Sequence, residues 1–132
     1  MLEAGLRAHT GAAARCLTWR RSFFDPLPTG ADAYLLSDIL HDWDDDHARR
    51  ILDGCRRAAT PGATVVVVEP VRDQGADTTI DLFMLMCFGG RERTVEELTA
   101  LADGSGLTLR AASPVADGRT ALELVPSDGD AR

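Results

Sequence analysis

The run Val65-Val66-Val67-Val68 constrains this chain more than any other stretch. Four consecutive β-branched residues suit a strand and leave it no polar face. Such a strand is expected to be buried on both sides, as in the middle of a sheet covered by helices. Glu69-Pro70 ends it. Upstream, Ala33-Tyr34-Leu35-Leu36 reads as a second strand, running into Ser37-Asp38-Ile39-Leu40-His41-Asp42-Trp43. Asp44, Asp45 and Asp46 mark a helix start, where carboxylates favour the free N–H groups and the dipole. Ile51, Leu52, Cys55, Ala58 and Ala59 then recur at helical spacing, and Pro61-Gly62 stops the helix.

The flanks extend the same alternation. Residues 1–14 read as a helix, Cys16–Trp19 as a short strand and residues 23–30 as a turn-rich connection with two prolines. Residues 80–88 read as a buried helix that Gly89-Gly90 terminates. Thr94 and Glu97 have the spacing of a capping box, ahead of a helix carrying Leu98 and Leu101. Leu107–Ala112 and Ala121–Val125 read as two strands of an antiparallel hairpin around Asp117-Gly118. The order strand, helix, strand, helix, helix, hairpin implies an α/β fold with a mostly parallel sheet and a C-terminal antiparallel hairpin.

Charge and cysteine usage narrow the function classes. The 132 residues suit one domain, and their formal net charge is −7, with arginine as every basic residue. An acidic chain without a basic stripe argues against nucleic acid as a partner. Cys16, Cys55 and Cys87 are odd in number and far apart, so reduced thiols are expected rather than a disulfide frame or a zinc site. Neither a secretory leader nor an apolar run of the ~18 residues needed for a membrane span is found, and a cytoplasmic location is expected.

In an open α/β sheet, ligands sit at the carboxyl ends of the strands. His41 follows the first of these strands, Glu69 closes the valine strand, and Glu92 follows a double glycine that lets the backbone turn sharply. A histidine near its neutral-pH transition, flanked by carboxylates, suits removal of a proton from a hydroxyl. Each residue has a plainer alternative. His41 before a helix can be a structural hydrogen-bonding group, Glu69 a cap for a neighbouring helix, and Glu92, between Arg91 and Arg93, a solvated charge. The acidic run from His41 to His47 also offers metal-ligand chemistry, although a solvated helix start explains it better.

Four segments together resemble a known family. Phe23-Phe24-Asp25-Pro26-Leu27-Pro28, Leu40-His41-Asp42-Trp43 with its acidic followers, Val68-Glu69-Pro70 and Gly89-Gly90-Arg91-Glu92-Arg93-Thr94 are similar, in order and in spacing, to segments of the S-adenosylmethionine-dependent small-molecule O-methyltransferases of plants and bacteria. The resemblance implies His41 as general base with Glu69 and Glu92 as its flanking carboxylates. It also implies Met84 in the acceptor pocket, with Phe88 beside it; ordinary core packing remains open for both. Ser22, Phe23 and Ser37 fall where the family touches its cofactor, although Arg20-Arg21-Ser22 and Ser37 depart from the family's usual residues there. Trp43 is expected to pack beside the site, and Asp42 and Asp44 to cap the helix rather than bind metal. The implied reaction is methyl transfer from S-adenosylmethionine to a hydroxylated aromatic acceptor, without a metal.

The family's sheet has strand order 3-2-1-4-5-7-6, and this chain matches strands 3 to 7. Neither the glycine-rich cofactor loop nor the helical dimerisation domain of that homodimeric family is found. The resemblance therefore implies an incomplete Rossmann-like methyltransferase fold lacking the first two strands, with a 4-5-7-6 core over residues 23–126. Residues 1–22 are expected to be poorly anchored and residues 127–132 frayed. A truncated product, half of a split enzyme, or a non-catalytic remnant that binds another polypeptide are the corresponding alternatives.

Overall fold

The computed structural model describes residues 22–72 and 92–128. Strand β1 (Ala33–Ser37) leads through a 3-10 turn, Leu40–Asp42, to helix α1 (Asp45–Ala58). Strand β2 (Thr64–Pro70), helix α2 (Val95–Gly104), strand β3 (Leu107–Pro114) and strand β4 (Arg119–Pro126) follow. The expected helices over 1–14 and 80–88 and the strand at Cys16–Trp19 lie outside the described residues.

The four strands form one sheet in the order β1-β2-β4-β3, which is the expected core order. β1 pairs parallel to β2, with Leu36 opposite Val67, while β4 pairs antiparallel to both β2 and β3. Three strands therefore share one direction and β4 runs against them, so the sheet is mixed. The hairpin turns where expected. Asp117 and Gly118 both adopt left-handed backbone, with φ of 61° and 70°. That conformation matches the right-handed twist of the flanking strands. A register shift between Leu109 and Ala111 marks a bulge in β3.

Burial corrects one expectation. Along β2, Val65 and Val67 are buried, whereas Val66 and Val68 are only half-buried. Leu36, Val65, Val67, Leu122 and Leu124 share a single core with the apolar stripes of both helices. α1 contributes Ala48, Ile51, Leu52 and Cys55, and α2 contributes Leu98, Leu101 and Ala102. Among the described residues both helices thus load one face of the sheet, and the valines pointing the other way are left half covered.

Local chemistry fixes the helix ends. Asp44 is the N-cap of α1, its carboxylate accepting from the backbone N–H of His47 at 2.8 Å. Thr94 and Glu97 exchange both bonds of the expected capping box, at 3.1 and 3.0 Å. The Tyr34 hydroxyl donates toward the carbonyls of Ala58 and Pro28, tying the end of α1 to the proline-rich connection. Ser127, expected to begin a frayed tail, still donates its N–H to the Gly106 carbonyl at 2.9 Å. Cys55 is a free thiol in the core, and burial pushes its pKa up to about 11. Cys16 and Cys87 lie outside the described residues.

Gly54 sits inside α1 without needing glycine's freedom, since a Cβ there would meet only the Arg57 guanidinium, at 3.8 Å. Gly54→Ala is expected to stabilise the fold by about 0.5–1 kcal/mol, through a less flexible unfolded chain and better helix propensity. A rise in the urea midpoint at unchanged slope checks this.

Candidate active site

Three segments meet at the carboxyl ends of β1 and β2. The first is the turn after β1. Asp38 adopts a left-handed conformation, with φ of 54°, and donates its N–H to the Val68 carbonyl at 2.8 Å. The chain then folds into the Leu40–Asp42 turn, held by bonds from Asp42 N to Ile39 O and from Trp43 N to Leu40 O, both 3.1 Å. His41 lies on this turn and is 6% exposed. Its Nε2 is 3.6 Å from an Asp42 carboxylate oxygen, and its buried Nδ1 has no hydrogen-bond partner among the described residues.

The second segment is the end of β2. Glu69 is fully buried, opposite Thr120 of β4. Among the described residues no well-formed hydrogen bond reaches its carboxyl oxygens. Burial pushes its pKa up to about 7; the Arg93 charge and the backbone N–H groups of His41 and Leu40 pull the other way, and Asp38 adds to the rise. Glu69 therefore lies against the backbone of the His41 turn.

The third segment carries Glu92 and Arg93, both fully buried. Arg93 bridges in parallel to Val71, just beyond β2, and its carbonyl accepts from the Arg72 N–H at 2.9 Å. Its side chain crosses to the turn. Nη1 donates to the Leu40 carbonyl at 2.9 Å, Nη2 to the Trp43 carbonyl at 2.7 Å, and Nε to Asp45 at 3.0 Å.

Burial excludes the plainer alternative of a solvated charge for Glu92. The acidic run is engaged locally. Asp44 caps α1 and takes the His47 ring at 2.8 Å, Asp45 takes Arg93, and Asp46 pairs with Arg49 at 3.2 Å. Among the described residues no group of three or more His, Cys, Asp or Glu side chains is placed to hold a metal. Asp42 does not cap the helix, contrary to expectation. It lies in the 3-10 turn facing His41, and its pKa is raised, first by burial and further by Asp38, against the lowering effect of His41. Trp43 packs as expected, edge-on to Phe24 and stacked with His47, with centroids 5.1 and 5.5 Å apart.

Two features gave no usable sequence signal. One is the reach of Arg93. The other is the bidentate pair in which Arg119, at the start of β4, holds Asp38 with contacts of 2.8 to 3.0 Å.

Met84 and Phe88 lie outside the described residues. Ser22 and Phe23 belong to a turn that satisfies itself, with Ser22 N donating to Asp25 at 3.0 Å and Phe24 N to the Ser22 hydroxyl at 3.2 Å. Phe23 leans on the core, and Ser37 is exposed at the end of β1.

Comparison with known proteins adds a family. The model of the O-methyltransferase domain matches residues 4–108. A 2,7-dihydroxy-5-methyl-1-naphthoate 7-O-methyltransferase of Streptomyces carzinostaticus is 50% identical over 107 residues, covering 80% of this chain and 32% of that protein. The aclacinomycin 10-hydroxylase RdmB of Streptomyces purpurascens is 43% identical over 121 residues, covering 87% of this chain and 32% of the hydroxylase. The crystal structure of NcsB1, an O-methyltransferase from neocarzinostatin biosynthesis in complex with S-adenosylmethionine and 2-hydroxy-5-methyl naphthoic acid, superposes with a TM-score of 0.82 at 46% identity. The match covers 89% of this chain and 35% of NcsB1. The chain thus spans about a third of the length of these relatives.

The raised pKa of Glu69 has a definite stability signature. The folded state holds this proton more tightly than the unfolded chain. The stability it contributes is fully present below the ordinary carboxyl range, near 4.5, and is lost as pH rises through about 7. Urea unfolding from pH 4 to 8 is expected to show this loss, and Glu69→Gln is expected to flatten that part of the profile.

Proposed function

The chain belongs to the O-methyltransferase domain family, and from that premise we propose that it supplies the proton-removing side of an enzyme that methylates a phenolic hydroxyl of a fused-ring aromatic acceptor. The observation that carries this reading is His41: a buried imidazole whose Nδ1 has no partner among the described residues, on a turn whose backbone lies against the Glu69 carboxyl. An imidazole kept out of bulk water with an open nitrogen is suited to take a proton from a bound hydroxyl. Glu69 and Glu92, buried on the neighbouring segments, offset the positive charge that the ring acquires. Asp42, with a carboxylate oxygen 3.6 Å from Nε2, adds a further negative charge beside the ring.

The methyl donor is S-adenosylmethionine, bound in the NcsB1 structure, and it supplies a methyl group already activated by its sulfonium. The described residues are assigned no step on that donor. Their share is to hold the base, exclude water and take the proton. The acceptor class follows from the naphthoate relatives. Methyl transfer is preferred over the hydroxylation named for RdmB because a base with flanking acids serves a reaction whose remaining demand is deprotonation and alignment.

One observation favours a second reading. β1 is the outer strand of the described sheet, and Leu35 on it is 66% exposed. An apolar edge strand invites pairing with another polypeptide. On this reading the chain is a non-catalytic binding module or half of a split enzyme.

The readings diverge in a fusion that joins this chain to the N-terminal two-thirds of the naphthoate methyltransferase. Labelled-methyl transfer to a dihydroxynaphthoate is expected in the fusion, falling about a hundredfold or more in His41→Ala. A full rate in that variant removes His41 as the base. A module that only docks would show no transfer, and its association with the separate N-terminal portion, followed by sedimentation, would weaken in Leu35→Lys and not in His41→Ala.

A further inference from the structure

The Leu40–Asp42 turn has little holding it from within. It is one 3-10 turn with two backbone bonds of 3.1 Å, and its N-cap, Ile39, offers no side-chain bond. A lone turn of this kind is weak, yet it carries the histidine on which the proposed chemistry depends.

The missing rigidity comes from Arg93. Its planar fork grips the turn on both sides of His41, at the Leu40 carbonyl before it and the Trp43 carbonyl after it. The third nitrogen is fastened to Asp45, in the first turn of α1. The Arg93 backbone is in turn fixed beside β2 by the bridge to Val71 and the bond from Arg72. The side chain is fully buried, and all three guanidinium nitrogens are engaged with the turn and the helix start. A group so used positions others and does not itself meet a reactant.

We propose that Arg93 is the positioning residue of this site, setting where the His41 ring stands relative to the Glu69 carboxyl. The inference rests on the reading of His41 as base and adds the part that makes that reading geometrically sharp. Lysine cannot replace it. An ammonium is a point donor, and the Leu40, Trp43 and Asp45 acceptors surround a planar fork.

The test uses nuclear magnetic resonance of this chain labelled in arginine, histidine and the valine and leucine methyls, with His41→Gln identifying the ring signals. In the wild type, the Arg93 guanidinium protons should exchange about a hundredfold or more slowly than those of the exposed Arg110. In Arg93→Lys, the His41 ring signals should shift and broaden while the methyl signals of Val67 and Leu122 stay in place. Asp45→Asn, which keeps both carbonyl bonds, should move them less. Unmoved His41 signals in a folded Arg93→Lys overturn the proposal. Should that variant not fold, fast exchange of the Arg93 guanidinium in the wild type overturns it instead. Neither readout needs turnover, so loss of the base assignment in the fusion and loss of this inference are separate events.

Discussion

A guanidinium with no exposure to water must find its partners in the protein, and here that demand organises the whole end of the sheet. Arg93 is fully buried, and its donors are met by two carbonyls of the His41 turn and by Asp45. Leaving such a charge unpaired costs far more than the pair itself contributes. The turn after β1, the start of α1 and the strand-like segment beside Val71 are therefore interdependent. Asp45 is still about half exposed, so one arm of the pair stays hydrated and the desolvation cost is shared with solvent.

This interdependence separates what the sequence discloses from what it does not. Local signals were legible. Thr94 and Glu97 form the box their spacing announces, Asp117-Gly118 turns the hairpin, and the apolar stripe from Ala48 to Ala58 is the buried face of α1. Each depends on neighbours within a few positions. The half-covered side of β2 was not legible, because a run of valines states only that a strand is apolar. Which face receives helices is decided by α1 and α2 both crossing to the same side. The long-range pairs were equally hidden: Arg93 meets residues about fifty positions away, and Arg119 meets Asp38 across 81.

The candidate site was legible mainly through resemblance. Composition and spacing gave His41, Glu69 and Glu92 only as three ionisable groups near strand ends. Their burial comes from the tertiary fold, and for Glu92 it removes the reading as a solvated charge. Asp42 shows the opposite failure. An acidic residue two positions before a helix cap reads as part of the cap, yet Asp44 fills that role and leaves Asp42 to face the imidazole. Family membership also leaves the chemistry open at a finer level, since relatives of similar identity include both a methyltransferase and a hydroxylase. Function has to be argued from side chains, because one scaffold serves several reactions.

Electrostatics ties the argument together. Under the proposed mechanism His41 gains a proton in a region that already contains the buried Arg93 cation, and a second positive charge there is unfavourable unless something compensates. Glu69 is suited to compensate. Burial pushes its pKa up to about 7, and a new cation nearby would favour its charged form. Arg93 already draws Glu69 toward its charged form while Asp38 pushes it back, and Arg119 moderates Asp38 through a bidentate pair. The network thus sets how readily this carboxyl carries its charge. A negative carboxylate interacts weakly with the neutral imidazole and strongly with the imidazolium, so it favours the state after proton transfer. That preference for the later state is the difference that lowers a barrier.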